Sequence, residues 1–260
     1  YWRSWRCTST LSIFKDGSIA GKYCNCRWCM TCNAIRTASM INKYSSTLES
    51  WDDSHFVTLT IPNVKAEYLK PAIEEMHTTF VKIKDRLKKR FKRQRGQKFI
   101  GLRKLECTYN LRRDDFHPHF HFLIRGKDNA NELLNAWLKA YPTANRGGQN
   151  VKKADENVSK ELFKYFTKII TQSDKERAVY ADSLDIIFNA IRGKRTFQNF
   201  GFKLPKNSEI TEKSDKFAIE HAIWIQQLGD WANTETGELI SDNIPNSNIE
   251  YIARKKVIVR

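Results

Sequence analysis

The sequence predicts an α+β protein, and three observations carry that reading. Phe56-Val57-Thr58-Leu59-Thr60 is a β-branched and aromatic run ended by Pro62, the composition of a strand. The stretch from about Lys65 to Arg93 has the length and spacing of a long helix. Phe99 to Tyr109 alternates, and the loop Asn110 to Phe116 turns the chain into a second strand, which gives an antiparallel pair. Alternation puts Leu105, Cys107 and Tyr109 on one face of its strand and Glu106 and Thr108 on the other. Helices and antiparallel strands in this mixed order fit a sheet covered by helices.

The remaining elements follow the same logic. The segment to about Cys32 is rich in cysteine and tryptophan and lacks periodicity, as a small metal-stapled module would. Helices are predicted over Asn33–Leu48, Asn131–Tyr141, Ser159–Thr171 with Ser159 as N-cap, and Ala178–Ile191. Ala144–Asn150 reads as a loop and Gly193–Lys203 as a turn and strand. A further helical stretch is predicted around Ala218–Leu228. The predicted organisation is a cysteine-rich module with the first helix over 1–50, a catalytic domain over 51–205, and a C-terminal extension over 206–260 that packs on or completes that domain.

Lysine and arginine total 45 against 29 acidic residues, a net charge of +16. A field of that sign attracts polyanions, nucleic acid above all. Lys82 to Arg95, with Lys88, Lys89 and Arg90, is basic nearly all round, which argues against an amphipathic membrane helix and for DNA contact. No apolar run approaches the roughly 20 residues that span a bilayer. The expectation is a soluble, cytoplasmic protein with no membrane partner. Five of the six cysteines, Cys7, Cys24, Cys26, Cys29 and Cys32, fall in one short region. A tight, odd-numbered cluster reads as a metal site rather than a disulfide framework.

The densest chemistry lies in His117-Pro118-His119-Phe120-His121, three of the chain's six histidines within five residues. In a strand His119 and His121 share a face while Phe120, Phe122 and Ile124 take the other. Two neutral imidazoles on one face can hold a divalent metal and leave room for oxygen ligands. In the Ser159–Thr171 helix, Glu161, Tyr165 and Lys168 stand at i, i+4 and i+7 and share a face. In a basic protein with a metal site, that phenol is a candidate nucleophile toward a phosphodiester.

On these motifs the chain resembles the single-tyrosine rolling-circle replication initiators of small plasmids and phages, members of the HUH endonuclease superfamily. Phe56–Thr60, His117–His121 and Glu161–Lys168 match three motifs of that family in order. Arg103-Lys104-Leu105-Glu106-Cys107-Thr108-Tyr109-Asn110 and the Cys-x-x-Arg-x-Cys-x-x-Cys pattern at Cys24, Arg27, Cys29 and Cys32 extend the match, so that it spans about Cys7 to Lys203. Met30 departs from the family's usual proline. The resemblance implies an HUH-type central antiparallel sheet of about five strands flanked by helices, with an N-terminal zinc-binding module. It implies Mg²⁺ or Mn²⁺ on His119, His121 and Glu106, with His117 beside the site or touching substrate. It implies structural Zn²⁺ on Cys7, Cys24, Cys29 and Cys32, while Cys26-x-x-Cys29 is a competing ligand spacing. Tyr165 would attack the scissile phosphate of single-stranded or hairpin origin DNA, with Lys168 supporting it and Glu161 activating water in the terminating cleavage. A host helicase and polymerase would follow. Competing readings are a relaxase or transposase of the same superfamily, a histidine-triad nucleotide hydrolase with a histidine nucleophile, and a zinc-stapled origin-binding adaptor without catalysis.

Overall fold

The alternating run of residues 99–125 becomes the centre of the fold. In this computed structural model, which describes residues 2–15, 19–155, 162, 181–204 and 218–240, β4 (Gly101–Asn110) and β5 (Asp115–Arg125) form the predicted antiparallel pair. Their register sets Glu106 opposite His119 and Lys104 opposite His121. On the other side of β5 lies β3 (Ser54–Thr60), with Thr58 opposite His121 and Thr60 opposite His119. Adding β6 (Asn150–Lys153) and β7 (Phe197–Phe200) completes a five-stranded antiparallel sheet of order β6-β3-β5-β4-β7. The predicted count is met, although β6 arises where the sequence suggested the end of a loop.

One face of this sheet is the main core. Val57, Leu59, Leu105, Phe120, Phe122 and Ile124 pack there against α3 (Ala66–Lys92) and α4 (Lys127–Ala140), whose Leu69, Ile73, Met76, Phe80, Leu133 and Trp137 recur at helical spacing. Arg103 also points to this face. Its guanidinium lies over the rings of Phe80 and Phe120 and donates to His77 Nδ1 at 2.8 Å and to the Arg195 carbonyl at 2.9 Å. Burial, and after it the Arg103 charge, pushes the His77 imidazole down to about 4, so His77 is a neutral acceptor at pH 7.

Pro118 sits in a central strand, where a missing N–H would ordinarily break the ladder. The Phe116 N–H donates to the Val64 carbonyl, so the Pro118 nitrogen faces that same side two residues later. It falls between the Val64–Phe116 bridge and the last β3–β5 pair, Thr60–His119, where no bond is required of it.

By contacts the chain forms two units, Met40–Leu204, described above, and Tyr1–Ser39 with Pro205–Arg260. The second unit holds α1 (Trp2–Trp5), β1 (Thr10–Phe14), β2 (Ile19–Gly21), β8 (Ala218–Ile225) and β9 (Asp230–Asn233), in a four-stranded antiparallel sheet of order β2-β1-β8-β9. The helix α2 (Met30–Glu49) gives its N-terminal half to this unit and its C-terminal half to the other. The helical reading of Ala218–Leu228 is therefore corrected: Ala218–Ile225 is a strand. Its isoleucines and Trp224 suit a sheet surface, and Trp224 meets Trp231 across the strands at 4.5 Å between ring centroids. Residues 218–233 add two strands to the N-terminal sheet, through pairing of Thr10 with Ile223 and of Leu11 with Ala222. The helix Ala181–Ala190, α5, confirms the later part of the stretch predicted over 178–191. Among the described residues no helix is long and apolar enough to cross a membrane.

Candidate metal centre

The face of the five-stranded sheet opposite the main core carries the polar residues. Alternation places Thr58 and Thr60 of β3, His117, His119 and His121 of β5, and Lys104, Glu106 and Thr108 of β4 on it together. Glu106 Oε2 lies 3.3 Å from His119 Nε2 and 3.3 Å from His121 Nε2, and the donor atoms of the three residues fall within 4.8 Å of one another. Neighbouring ligands of an octahedral ion with bonds of about 2.1 Å stand about 3.0 Å apart, close to this spacing.

The hydrogen bonds around the two rings test whether the set suits a cation. His119 Nδ1 is 3.0 Å from the His117 carbonyl, which can only accept, so Nδ1 carries the proton. In the neutral ring, Nε2 then turns a lone pair toward the Glu106 carboxylate. Two acceptors facing each other call for a cation between them. His121 Nδ1 is 3.1 Å from Thr58 Oγ1, which supports the same tautomer there. Two nitrogens and a carboxylate oxygen on one side of an ion, with the other positions open, suit a divalent metal that must also meet substrate oxygens.

Glu106 is held as an anion. Burial pushes its carboxyl up, but the neighbouring His119 and His121 and the Lys104 charge outweigh burial and hold it well below the usual carboxylate range. Lys104 is only 2% exposed, and its Nζ lies 2.5 Å from Glu106 Oε1, leaving Oε2 for the histidines. Sequence reading passed over Lys104. Its signal was available, since Lys104 and Glu106 stand two apart in one strand and share a face.

His117 stands on the same face but outside the three-residue group. Its Nδ1 is 2.8 Å from Asn63 Oδ1, and Asn63 Nδ2 donates to Asp115 Oδ1 at 2.6 Å. Burial first, then the neighbouring His119 and Arg113, push the His117 imidazole down to about 4. Beyond the polar row the same face becomes apolar. Phe56 stacks on His121 at 5.2 Å between ring centroids and belongs to a buried cluster with Tyr44, Leu48, Trp51, Leu102, Leu123 and Leu162. Glu161, Tyr165 and Lys168 lie outside the described residues. Leu162, three residues before Tyr165, is 1% exposed in that cluster. Three residues of chain reach at most about 11 Å.

The sulfurs of Cys7, Cys24, Cys29 and Cys32 form a second group within 4.8 Å, and all four are free thiols. Cys7 Sγ and Cys24 Sγ stand 3.5 and 3.6 Å from Cys32 Sγ. A tetrahedral site with Zn–S bonds of about 2.3 Å separates its sulfurs by about 3.8 Å, so the four cysteines fit a closed zinc site. Burial raises the Cys24 thiol, but the Cys26 N–H and the neighbouring cysteines outweigh it and bring the thiol to about 7. Cys26 stays outside the group; its Sγ faces the Cys24 carbonyl at 3.6 Å and its N–H the Cys24 sulfur at 3.4 Å. Lys88, Lys89 and Arg90 lie exposed in the last turns of α3, and Arg90 pairs with Glu132 at 2.5 Å.

An antiparallel sheet presenting two imidazoles and a carboxylate, in a chain with a separate four-sulfur group, defines a protein with two candidate metal centres. Comparison with known proteins gives the family. Residues 18–129 match the family described as "Replication protein". The chain is similar to a "Protein rep" of Staphylococcus aureus, 30% identical over 163 residues, 58% of this chain and 68% of that protein. It is similar to a "Protein rep" of a Bacillus species, 33% identical over 131 residues, and to one of Bacillus amyloliquefaciens, 33% identical over 112 residues. These matches cover 45% and 41% of this chain, and 41% and 32% of the relatives, so the chain spans less than half of the latter two. No solved structure matches the chain. The chain belongs to this Rep family of replication proteins, in keeping with the resemblance its motifs carry.

Proposed function

We propose that this protein initiates rolling-circle replication by nicking single-stranded origin DNA through Tyr165. The observation that carries the reading is the convergence of His119 Nε2, His121 Nε2 and Glu106 Oε2 on the polar face of the sheet. In this reading those three residues hold Mg²⁺ or Mn²⁺. When bound, the ion supplies electrostatic stabilisation of the negative charge on the scissile phosphate. The histidines orient their Nε2 atoms through the His117 carbonyl and Thr58, and Lys104 pairs with Glu106 Oε1 and keeps the carboxylate ionised. Tyr165 Oη attacks phosphorus in line, forming a phosphotyrosine ester as the P–O3′ bond breaks. The phenol proton is lost and the 3′ oxygen gains one, leaving a 5′-phosphotyrosine and a free 3′-OH that a host polymerase can extend. Lys168 supports charge on the phenolate or phosphorane, and Glu161 serves as base for water in the terminating cleavage. The buried position of Leu162, on the same sheet face as the histidines, supports bringing the tyrosine motif to them.

The histidine-triad hydrolase reading is the weaker one. A histidine nucleophile needs a free ring nitrogen aimed at substrate, whereas His119 and His121 turn their Nε2 atoms to Glu106. The test is direct. Incubated with labelled single-stranded origin DNA and Mn²⁺, the protein should form an SDS-stable adduct that EDTA prevents and Tyr165→Phe abolishes with little loss of DNA binding. Adduct at wild-type yield from Tyr165→Phe refutes the assignment of the nucleophile.

A further inference from the structure

Residues 1–39 hold six basic side chains, Arg3, Arg6, Lys15, Lys22, Arg27 and Arg36, against one acidic residue, Asp16. The segment also holds Trp2, Trp5 and Trp28, three of the seven tryptophans of the chain. Tryptophan is a large apolar side chain and ordinarily spends most of its surface in a core or an interface. Here Trp2 is 67%, Trp5 74% and Trp28 38% exposed. Exposed apolar residues scattered singly mean little, but these are gathered. Trp28 Nε1 donates to Ser4 Oγ at 2.9 Å, which sets the Trp28 indole against the short helix that carries the other two.

The four-sulfur group explains how they are gathered. Cys7 follows α1 by two residues, and Cys24 and Cys29 bracket Trp28. A metal shared by these cysteines staples the α1 segment to the Trp28 turn. Arg3 adds a second tie, donating through Nη2 to the Cys24 carbonyl at 3.4 Å. Arg6 already uses an indole as a cation acceptor, its guanidinium carbon 4.7 Å from the centroid of the Trp2 ring.

Apolar protein surfaces, membrane interfaces and the bases of a nucleic acid all take up exposed tryptophans. The 4-residue α1 is too short to lay an amphipathic face into a membrane interface, and the charge decides between the other two. Zn²⁺ with four thiolates contributes −2, and the segment stays positive after that is counted. Indoles interleaved with guanidiniums combine the π-surfaces on which unpaired bases stack with the charge that tracks a phosphate backbone. Duplex bases are stacked on one another and offer no such faces. We propose that Trp2, Trp5 and Trp28, with Arg6 among them, form a platform that binds single-stranded DNA without sequence preference, assembled by the cysteine-bound metal. In choosing DNA it rests on the function proposed above, and it is separate from the metal site of the five-stranded sheet.

The experiment uses the full zinc-loaded chain without added Mg²⁺ or Mn²⁺, and a labelled oligo(dT) of roughly 20 nucleotides that lacks any origin sequence. Loss of a base–aromatic stack costs roughly 5- to 150-fold in affinity. Trp2→Ala with Trp5→Ala should therefore raise the Kd at least about 10-fold, and Trp28→Ala should raise it independently. Trp2→Phe with Trp5→Phe should restore much of the affinity, because a smaller aromatic face remains. Oligo(dT) should quench the tryptophan fluorescence of the parent more than that of the double alanine variant, while circular dichroism melting stays equal. Unchanged oligo(dT) affinity in both alanine variants overturns the proposal. So does a parent dimer that the alanine variants dissociate without losing oligo(dT) affinity, which would assign the face to a second copy of the chain. Adduct formation with origin DNA in Mn²⁺, run on the same proteins, separates the two readings. If the parent forms no adduct yet needs the tryptophans for oligo(dT), the cleavage reading fails and the platform stands.

Discussion

Thr58→Val tests how the metal site is oriented. Thr58 is half-buried, and its Oγ1 meets His121 Nδ1 at 3.1 Å. Valine keeps the shape and the strand preference and removes only the hydroxyl. The lost neutral hydrogen bond is worth about 1 kcal/mol of stability. Its larger effect falls on the ring, which loses the partner that fixes its tautomer and aims Nε2 at Glu106 Oε2, 3.3 Å away. Losing such an orienting partner costs roughly 10- to 100-fold in metal affinity, about 1.4 to 2.7 kcal/mol. The substitution should thus weaken Mn²⁺ far more than it lowers the melting temperature. Calorimetric titration of chelator-treated, zinc-reloaded protein with Mn²⁺, alongside thermal melts, reads both quantities. His119 provides the internal contrast, because its Nδ1 bonds the His117 backbone and no side-chain change at Thr58 touches it. A Mn²⁺ affinity within about twofold of the parent would refute the claim that His121 binds metal through Nε2 in this tautomer.

Lys104→Met should melt lower without added metal, since it leaves the half-buried Glu106 carboxylate without its ammonium, yet bind Mn²⁺ more tightly because a competing positive charge is gone. Weaker Mn²⁺ binding would mean that Lys104 acts mainly by aiming the carboxylate. Glu161→Gln should form the first Tyr165 adduct on origin DNA and accumulate it, because the terminating hydrolysis has lost its base; equal loss of both steps on a time-resolved gel would show that Glu161 serves them both. Neutralising Lys88, Lys89 and Arg90 together should lower the slope of log K against log salt by up to about 2, each phosphate contact on a single strand contributing about 0.7. Arg90 already pairs with Glu132, so Lys88 and Lys89 should account for most of the change. An unaltered slope in a filter-binding salt series would reduce that end of α3 to a solvated surface.

The sheet and its metal row were legible in the sequence because strand parity is a two-residue rule. His119 and His121 had to share a face, Phe120, Phe122 and Ile124 had to take the other, and the β4–β5 hairpin could only be antiparallel. Cysteine spacing likewise marked a metal cluster, and it was the family resemblance that set Cys26 aside; the sulfurs of Cys7, Cys24, Cys29 and Cys32 lie within 4.8 Å of one another. Local pattern failed where the partner lay far along the chain. Ala218–Ile225 contains enough alanine and glutamine nearby to resemble a helix, and only pairing with β1, some two hundred residues earlier, makes it a strand.

Within the site the division is sharper still. The sequence by itself determined that His119 and His121 share one face of their strand and that Glu106 takes the non-apolar face of its own, since alternation depends on nothing beyond the strand. Only the tertiary structure decided the register that sets Glu106 opposite His119 and brings Thr58 to His121. It also supplied the partners that let Arg103 and Lys104, adjacent basic residues that alternation sends to opposite faces, both be buried. Arg103 is buried against Phe80 and Phe120 on one face, while Lys104 is buried against Glu106 on the other. A charge can leave water only where rings, carbonyls or an opposite charge receive it, and those partners come from strands and helices distant in sequence.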